Sequence, residues 1–173
     1  DVSLETWRGF VFVNLAENPE TTVLEQLGTE ADWVRNWPLE DMRSVHQVTK
    51  SVASNWKIYW ENYSECYHCS LNHPTFATGV VKPETYDIQP QGYCLRHTTE
   101  CQNLEAMTYP IDTSVPHGGD YSSWFLWPMF SFQVYPGNVL NTYHWRAVDA
   151  GHVVVWRGWY SVDGKEDATV RHL

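Results

Sequence analysis

The chain has 173 residues, 11 Lys plus Arg against 21 Asp plus Glu, and a formal net charge of −10, enough for one domain or a piece of a larger one. That charge has the wrong sign for neutralising nucleic-acid phosphates, and no apolar run approaches the roughly 18 residues that cross a bilayer. The opening DVSLETWRGF has neither a basic leader nor an apolar signal core, so a cytoplasmic protein is expected, with Cys66, Cys69, Cys94 and Cys101 as reduced thiols.

In chain order, Trp7 to Leu15 alternates and is rich in Val and Phe, which predicts one strand stopped at Glu17-Asn18-Pro19. Thr22 followed three residues later by Glu25, with Gly28 beyond, is the pattern of a capped short helix that Asp32–Arg35 extends. Residues 43–54 alternate Val, Thr and short polar side chains, as a strand does. From Asn55 to Cys69, NWKIYWENYSECYHC has no Gly or Pro and carries apolar residues at helical intervals, which predicts a single helix with Pro74 marking its end. Residues 75–123 hold most of the Pro, Gly and Thr and are expected as loops around short strands. Phe130–Tyr135, Val139–Val148 and His152–Val162 then form an antiparallel meander joined by Pro136-Gly137-Asn138 and Asp149-Ala150-Gly151. Beginning in a strand and ending at Val170–Leu173 in the first turn of a helix, the chain is expected to be a fragment.

On a single helix Glu61, Glu65 and His68 share one stripe. His73 falls at the helix end, where a relaxed last turn brings its ring back toward His68. Imidazole suits Fe, Zn, Cu or Ni, and two histidines with one carboxylate and open positions suit non-haem Fe(II). Packed or solvated histidines fit the spacing equally well. H-E-x-x-H is absent, which leaves a zinc protease unsupported. Cys66-x-x-Cys69 falls inside the predicted helix, away from thioredoxin-like surroundings. Cys66-Tyr67-His68 and Cys94-Leu95-Arg96-His97 imitate the two halves of a Rieske [2Fe–2S] ligand set, but they lack the Gly and Pro of cluster loops, and one half lies on a helix.

NWKIYWENYSECYHCSLNHP resembles the mononuclear-iron motif in the catalytic domain of Rieske-type ring-hydroxylating and N-demethylating oxygenases. WRGFVFVNLAENP is similar to the strand leading out of their Rieske domain, and WPMFSFQVYPGNVLNTYHWRAVDAGHVVVWRGWYSVDG to their catalytic sheet. The resemblance implies an α+β fold, a curved antiparallel sheet clasping helices, truncated at both ends. Residues 1–173 would then be a partial catalytic domain, with the Rieske domain before residue 1 and the helix bearing the third iron ligand after residue 173. His68 and His73 become the histidine ligands of a mononuclear Fe(II). Glu65 becomes the bridging carboxylate, which accepts a hydrogen bond from a cluster histidine of the adjacent subunit. Asn62 and Tyr63 are expected to line the substrate pocket.

Glu at position 65, within ECYHC, points to the branch acting on quaternary ammonium compounds such as carnitine, glycine betaine or stachydrine, with FSFQVYPGNVLNTYHWR nearest to carnitine monooxygenase. That branch implies a monooxygenase fed by NADH through a separate reductase, using dioxygen, commonly as a homotrimer. It releases trimethylamine or a demethylated amine, and this piece alone would not turn over. Glu166-Asp167 reads as a turn rather than the missing ligand helix. With 10 Trp, 10 Tyr and 6 Phe, the chain has the aromatic faces that bind such a cation. Tyr59, Trp60, Tyr63, Tyr67, Phe76, Trp124, Phe125, Phe132 and Trp145 are the candidates, most of them expected in the core. A metal-free helix-grip ligand-binding module is the alternative.

Overall fold

The structure is a computed structural model, and it describes residues 2–35, 37–101, 105, 111, 113–114 and 119–166. The terminal turn expected at Val170–Leu173, and Asp167 of the acidic pair, lie outside the described residues.

The alternation at the start forms a hairpin rather than one strand: β1 (Ser3–Trp7) pairs antiparallel with β2 (Phe10–Asn14). Arg8 (φ 51°) and Gly9 (φ 84°) make the turn. Two consecutive left-handed residues match the twist of the flanking strands, and glycine takes the second at no steric cost. The capped helix is present as α1 (Val23–Leu27). The Thr22 hydroxyl accepts from the Glu25 backbone amide at 3.2 Å, and the Glu25 carboxylate accepts from the Thr22 amide at 2.7 Å. Gly28 ends it, and α2 (Glu30–Val34) follows as a separate turn of helix.

β3 (Arg43–Val52) covers the expected strand. The loop-rich stretch also contains the hairpin β4 (Asp87–Gln91) and β5 (Cys94–Glu100), and then β6 (Asp120–Leu126). The meander is present as β7 (Phe130–Tyr135), β8 (Val139–Asp149) and β9 (His152–Ser161). These strands form one seven-stranded antiparallel sheet in the order β3-β9-β8-β7-β6-β5-β4.

Side chains alternate across the sheet, and both faces are covered. Trp124, Phe132, Val134 and Leu140 pack with Val23, Leu27, Val34 and Trp37 under α1 and α2, and the β1–β2 hairpin adds Trp7, Phe10 and Phe12. On the opposite face Phe125, Trp145, Val153 and Val155 pack under Trp56, Tyr59, Trp60 and Tyr63 of α3 (Trp56–Tyr63). The fold is thus α+β, a large antiparallel sheet with a few helices on each side.

The helix expected from Asn55 to Cys69 is interrupted. α3 starts at an Asn55 cap, whose side chain accepts from the Lys57 amide at 2.9 Å, and stops at Tyr63. The Ser64 amide splits between the Trp60 and Glu61 carbonyls, its hydroxyl donates to Trp60 at 2.9 Å, and the Glu65 carboxylate accepts from the amides of Tyr67 and His68. Such side-chain bonds offer the backbone an alternative to continuing the helix. The chain resumes as α4 (Cys69–Asn72) and, after Pro74, as a wide helical turn at Phe76–Val80.

Candidate metal centre

The break at Ser64 overturns the expected single stripe. Glu61 stays on α3, exposed and away from the cavity described below, whereas Glu65 and His68 sit in the turn after it. His68 precedes α4 and His73 follows it, so one short helix sets the separation of the two rings. The ring centroids lie 5.3 Å apart at an interplanar angle of 73°.

The Glu65 carboxylate hydrogen-bonds Nδ1 of His68, and the Asn62 side-chain amide lies 3.2 Å from the same nitrogen. Partial desolvation works to raise the Glu65 carboxyl, but its bonds with His68 and the Tyr67 amide outweigh it and hold the acid below the usual carboxylate range. A carboxylate on Nδ1 fixes the tautomer that leaves Nε2 with its lone pair, which is how metal-bound histidines are usually held. Among the described residues no group of three or more His, Cys, Asp or Glu gathers in metal-binding geometry.

The cysteines depart from expectation. Cys66 and Cys69 are joined by a disulfide across a Cα–Cα distance of 5.0 Å, with His68 inside the loop they close. The two were expected as thiols within a helix. The turn at 65–68 places them at the mouth of α4, within bridging distance. Cys94 and Cys101 are free thiols, and burial pushes both up to about 12.

His68, His73, Glu65 and Asn62 open on a cavity of about 560 Å³ between the 59–80 segment and the α3 face of the sheet. Six tyrosines line it (59, 63, 86, 121, 135, 143) together with Phe76. The Tyr63 hydroxyl bonds Ser123 at 2.9 Å. Burial pushes Tyr59 up to about 12, and Tyr63, Tyr86 and Tyr121 also rise through burial. The wall is therefore uncharged phenol at neutral pH. Of the aromatic candidates, Tyr59, Tyr63 and Phe76 reach the cavity. Trp124 and Phe132 are buried beyond the opposite face, Phe125, Trp145 and Trp60 fill the core under α3, and Tyr67 is 95% exposed.

Sequence reasoning missed the far wall. Tyr86, His97, Tyr121, Ser123, Gln133, Tyr143 and Arg157 come from β5 to β9 and the turn before β4. His97 accepts at Nδ1 from, or donates to, the Tyr86 hydroxyl at 2.9 Å, and burial lowers it to about 4. Strand alternation was the available signal, since Tyr121, Ser123 and Phe125 form one inward set.

Residues 39–172 match the family of ring-hydroxylating alpha subunits (catalytic domain). The chain is 30% identical over 152 residues to the carnitine monooxygenase oxygenase subunit of Acinetobacter pittii, covering 86% of this chain and 40% of that protein. It is 36% identical over 73 residues to the glycine betaine monooxygenase oxygenase subunit of Pseudomonas aeruginosa, covering 42% of this chain and 17% of that one. A quaternary ammonium Rieske monooxygenase crystallised with an inhibitor superposes with a TM-score of 0.83 at 25% identity, over 99% of this chain and 46% of that chain. Naphthalene 1,2-dioxygenase with indole in its active site shares the fold, with a TM-score of 0.72 at 15% identity, over 98% of this chain and 45% of that chain. The chain spans less than half the length of these relatives.

Proposed function

The chain belongs to the ring-hydroxylating alpha-subunit family as part of its catalytic domain, and from that premise we propose that the protein containing it is the oxygenase component of a quaternary ammonium monooxygenase. Its substrate is carnitine or a related betaine. His68 and His73 hold a mononuclear Fe(II), with a third ligand from outside the described residues. A Rieske [2Fe–2S] domain precedes the chain, and a reductase feeds it from NADH. The observation that carries this reading is the pair of imidazoles 5.3 Å apart, at the mouth of a cavity walled by tyrosine.

The donor set fits the metal. Two imidazoles suit ferrous iron, and Glu65 on Nδ1 of His68 leaves Nε2 free for it. Bound there, the iron would supply reductive activation of dioxygen. The residues around it bind and orient. A quaternary ammonium donates no hydrogen bond, so aromatic faces recognise it, each worth about 0.5–2 kcal/mol depending on desolvation. The raised tyrosines keep their protons and present neutral rings. Hydroxylation next to the quaternary nitrogen yields a carbinolamine, which loses its hydroxyl proton and expels the amine as a carbonyl forms.

The test uses the full-length protein. His68→Ala and His73→Ala are expected to remove mononuclear iron, measured by elemental analysis, while the visible absorption of the [2Fe–2S] cluster persists as a control for folding. Retention of one mononuclear iron per chain in both variants defeats the reading.

A further inference from the structure

Arg157 is the one permanent cation among the described residues lining the cavity. It lies on β9, opposite Tyr143 of β8, and its guanidinium carbon sits 4.6 Å from the ring centres of both Tyr143 and Trp159. The two rings hold the planar group in one orientation. Its Nε is buried with no hydrogen-bond partner, and among the described residues no carboxylate pairs with it. The buried Arg96, on the other side of the sheet, is by contrast paired with Glu30. A guanidinium whose Nε is shut off from water without an acceptor is unsatisfied on that side until an anion arrives. Its rigid fork matches a carboxylate.

The floor beneath Arg157 is fixed by a relay of buried side chains across four strands. The Tyr121 hydroxyl donates to Gln133 at 2.8 Å, the Gln133 amide donates to Asn141 at 3.1 Å, and Asn141 donates to the Gly158 carbonyl at 2.9 Å. The last bond pins the backbone beside Arg157, so the cation is placed before any ligand binds.

The cavity's charges are also separated. The Glu65 carboxylate stands on the histidine side, where its charge is felt at Tyr86, whereas that of Arg157 is felt at Tyr59 and Tyr143. A zwitterion placed between them puts its cationic nitrogen toward the acid and its carboxylate toward the guanidinium. We infer that Arg157 receives the substrate carboxylate, so that the site selects quaternary ammonium compounds bearing a carboxylate over those, such as choline, that lack one. This rests on the proposed function and adds the group that orients the substrate, directing the carbons around its nitrogen toward His68 and His73.

The experiment measures calorimetric binding of L-carnitine, glycine betaine and choline to the iron-loaded full-length protein and to Arg157→Met and Arg157→Lys. Wild type is expected to favour L-carnitine over choline by about tenfold or more. Arg157→Met is expected to weaken L-carnitine about 10- to 100-fold, the loss of a charge-assisted pair, with choline changed by less than about twofold. Arg157→Lys, a point charge without the fork, should fall between. Choline serves as the internal control for folding. If wild type binds both compounds but Arg157→Met weakens them equally, or leaves L-carnitine unchanged, the role of Arg157 is wrong and the quaternary ammonium reading stands. If wild type binds none of the three, both are wrong.

Discussion

Glu30→Ala is expected to be among the most damaging single changes in this domain, although it lies on the face of the sheet away from the cavity. The Glu30 side chain is 3% exposed, and its two oxygens lie 3.2 and 3.3 Å from Nη1 of Arg96, itself 10% exposed. Trp124, buried at the centre of the larger core, donates its indole N–H to the same carboxylate at 3.2 Å. Removing the carboxylate leaves a buried cation, which costs about 3–5 kcal/mol, and orphans a buried N–H, which adds about 1–3 kcal/mol. Asp87, 3.7 Å from Arg96 and 47% exposed, and the Trp33 ring at 4.1 Å compensate in part, so a net loss of about 3–5 kcal/mol is expected. For a domain of this size that lowers the melting temperature by about 6–20 °C, read by scanning calorimetry of the intact protein. Glu30→Leu combined with Arg96→Met removes both charges and should recover most of the loss, because a buried pair is worth little against apolar residues of like volume. A loss below about 1 kcal/mol in Glu30→Ala, or a double variant as unstable as the sum of the single ones, refutes the reasoning.

His97 is 3% exposed, and burial lowers it from 6.5 to about 4. The unfolded chain therefore binds the proton first, and stability present above pH 6.5 is lost as pH falls toward 4, by about 2 kcal/mol at pH 5. His97→Asn should flatten that slope in urea titrations at pH 7 and pH 5, and an unchanged slope counts against it. Gly158→Ala would place a methyl 2.8 Å from the Tyr160 ring and 2.9 Å from the Thr142 hydroxyl. A loss of about 1–3 kcal/mol is expected in the same calorimetry, and a neutral outcome would show that Tyr160 moves aside freely.

Where a segment's structure is decided by its own residues, the sequence was enough to read it. Thr22, Glu25 and Gly28 specify α1 because each satisfies a backbone group of that one helix. Val139–Asp149 and His152–Ser161 are rich in Val, Trp and Tyr and are strands joined by a short turn. Two local devices escaped notice. Arg8-Gly9 folds a long alternating run into a hairpin, since a turn with no Pro or Asn leaves the periodicity of the flanking strands intact. Ser64 and Glu65 stop a helix whose apolar spacing continues through them, because their side chains bond the backbone that the helix would have used.

The two walls of the cavity differ in legibility for a reason rooted in the sheet. The wall carrying His68 and His73 comes from one short segment, so its residues stand together in sequence and their motif is visible. The opposing wall, from Tyr121 and Ser123 to Tyr143 and Arg157, is assembled by register, one or two residues from each of several strands. Alternation sorts each strand into two sets but cannot say which set faces the site when both faces of the sheet are covered by apolar side chains. Trp124 and Phe125 are neighbours and both are buried, yet one packs under α1 and α2 and the other under α3. Polar content does not separate the faces cleanly: the set facing α3 includes Ser123, Gln133, Asn141 and Arg157, but Arg96, Ser122 and Thr142 are buried on the other face. Buried polar groups need partners, and those facing α3 find them among one another, Gln133 with Asn141 and Asn141 with the Gly158 carbonyl, as Arg96 does with Glu30 on the other side. Arg96 and Arg157 show why the sequence alone does not decide: both are strand arginines, yet one is paired with Glu30 under α1 and α2 and the other lines the cavity with no carboxylate paired to it among the described residues, so it is the partner supplied by the rest of the fold that separates them.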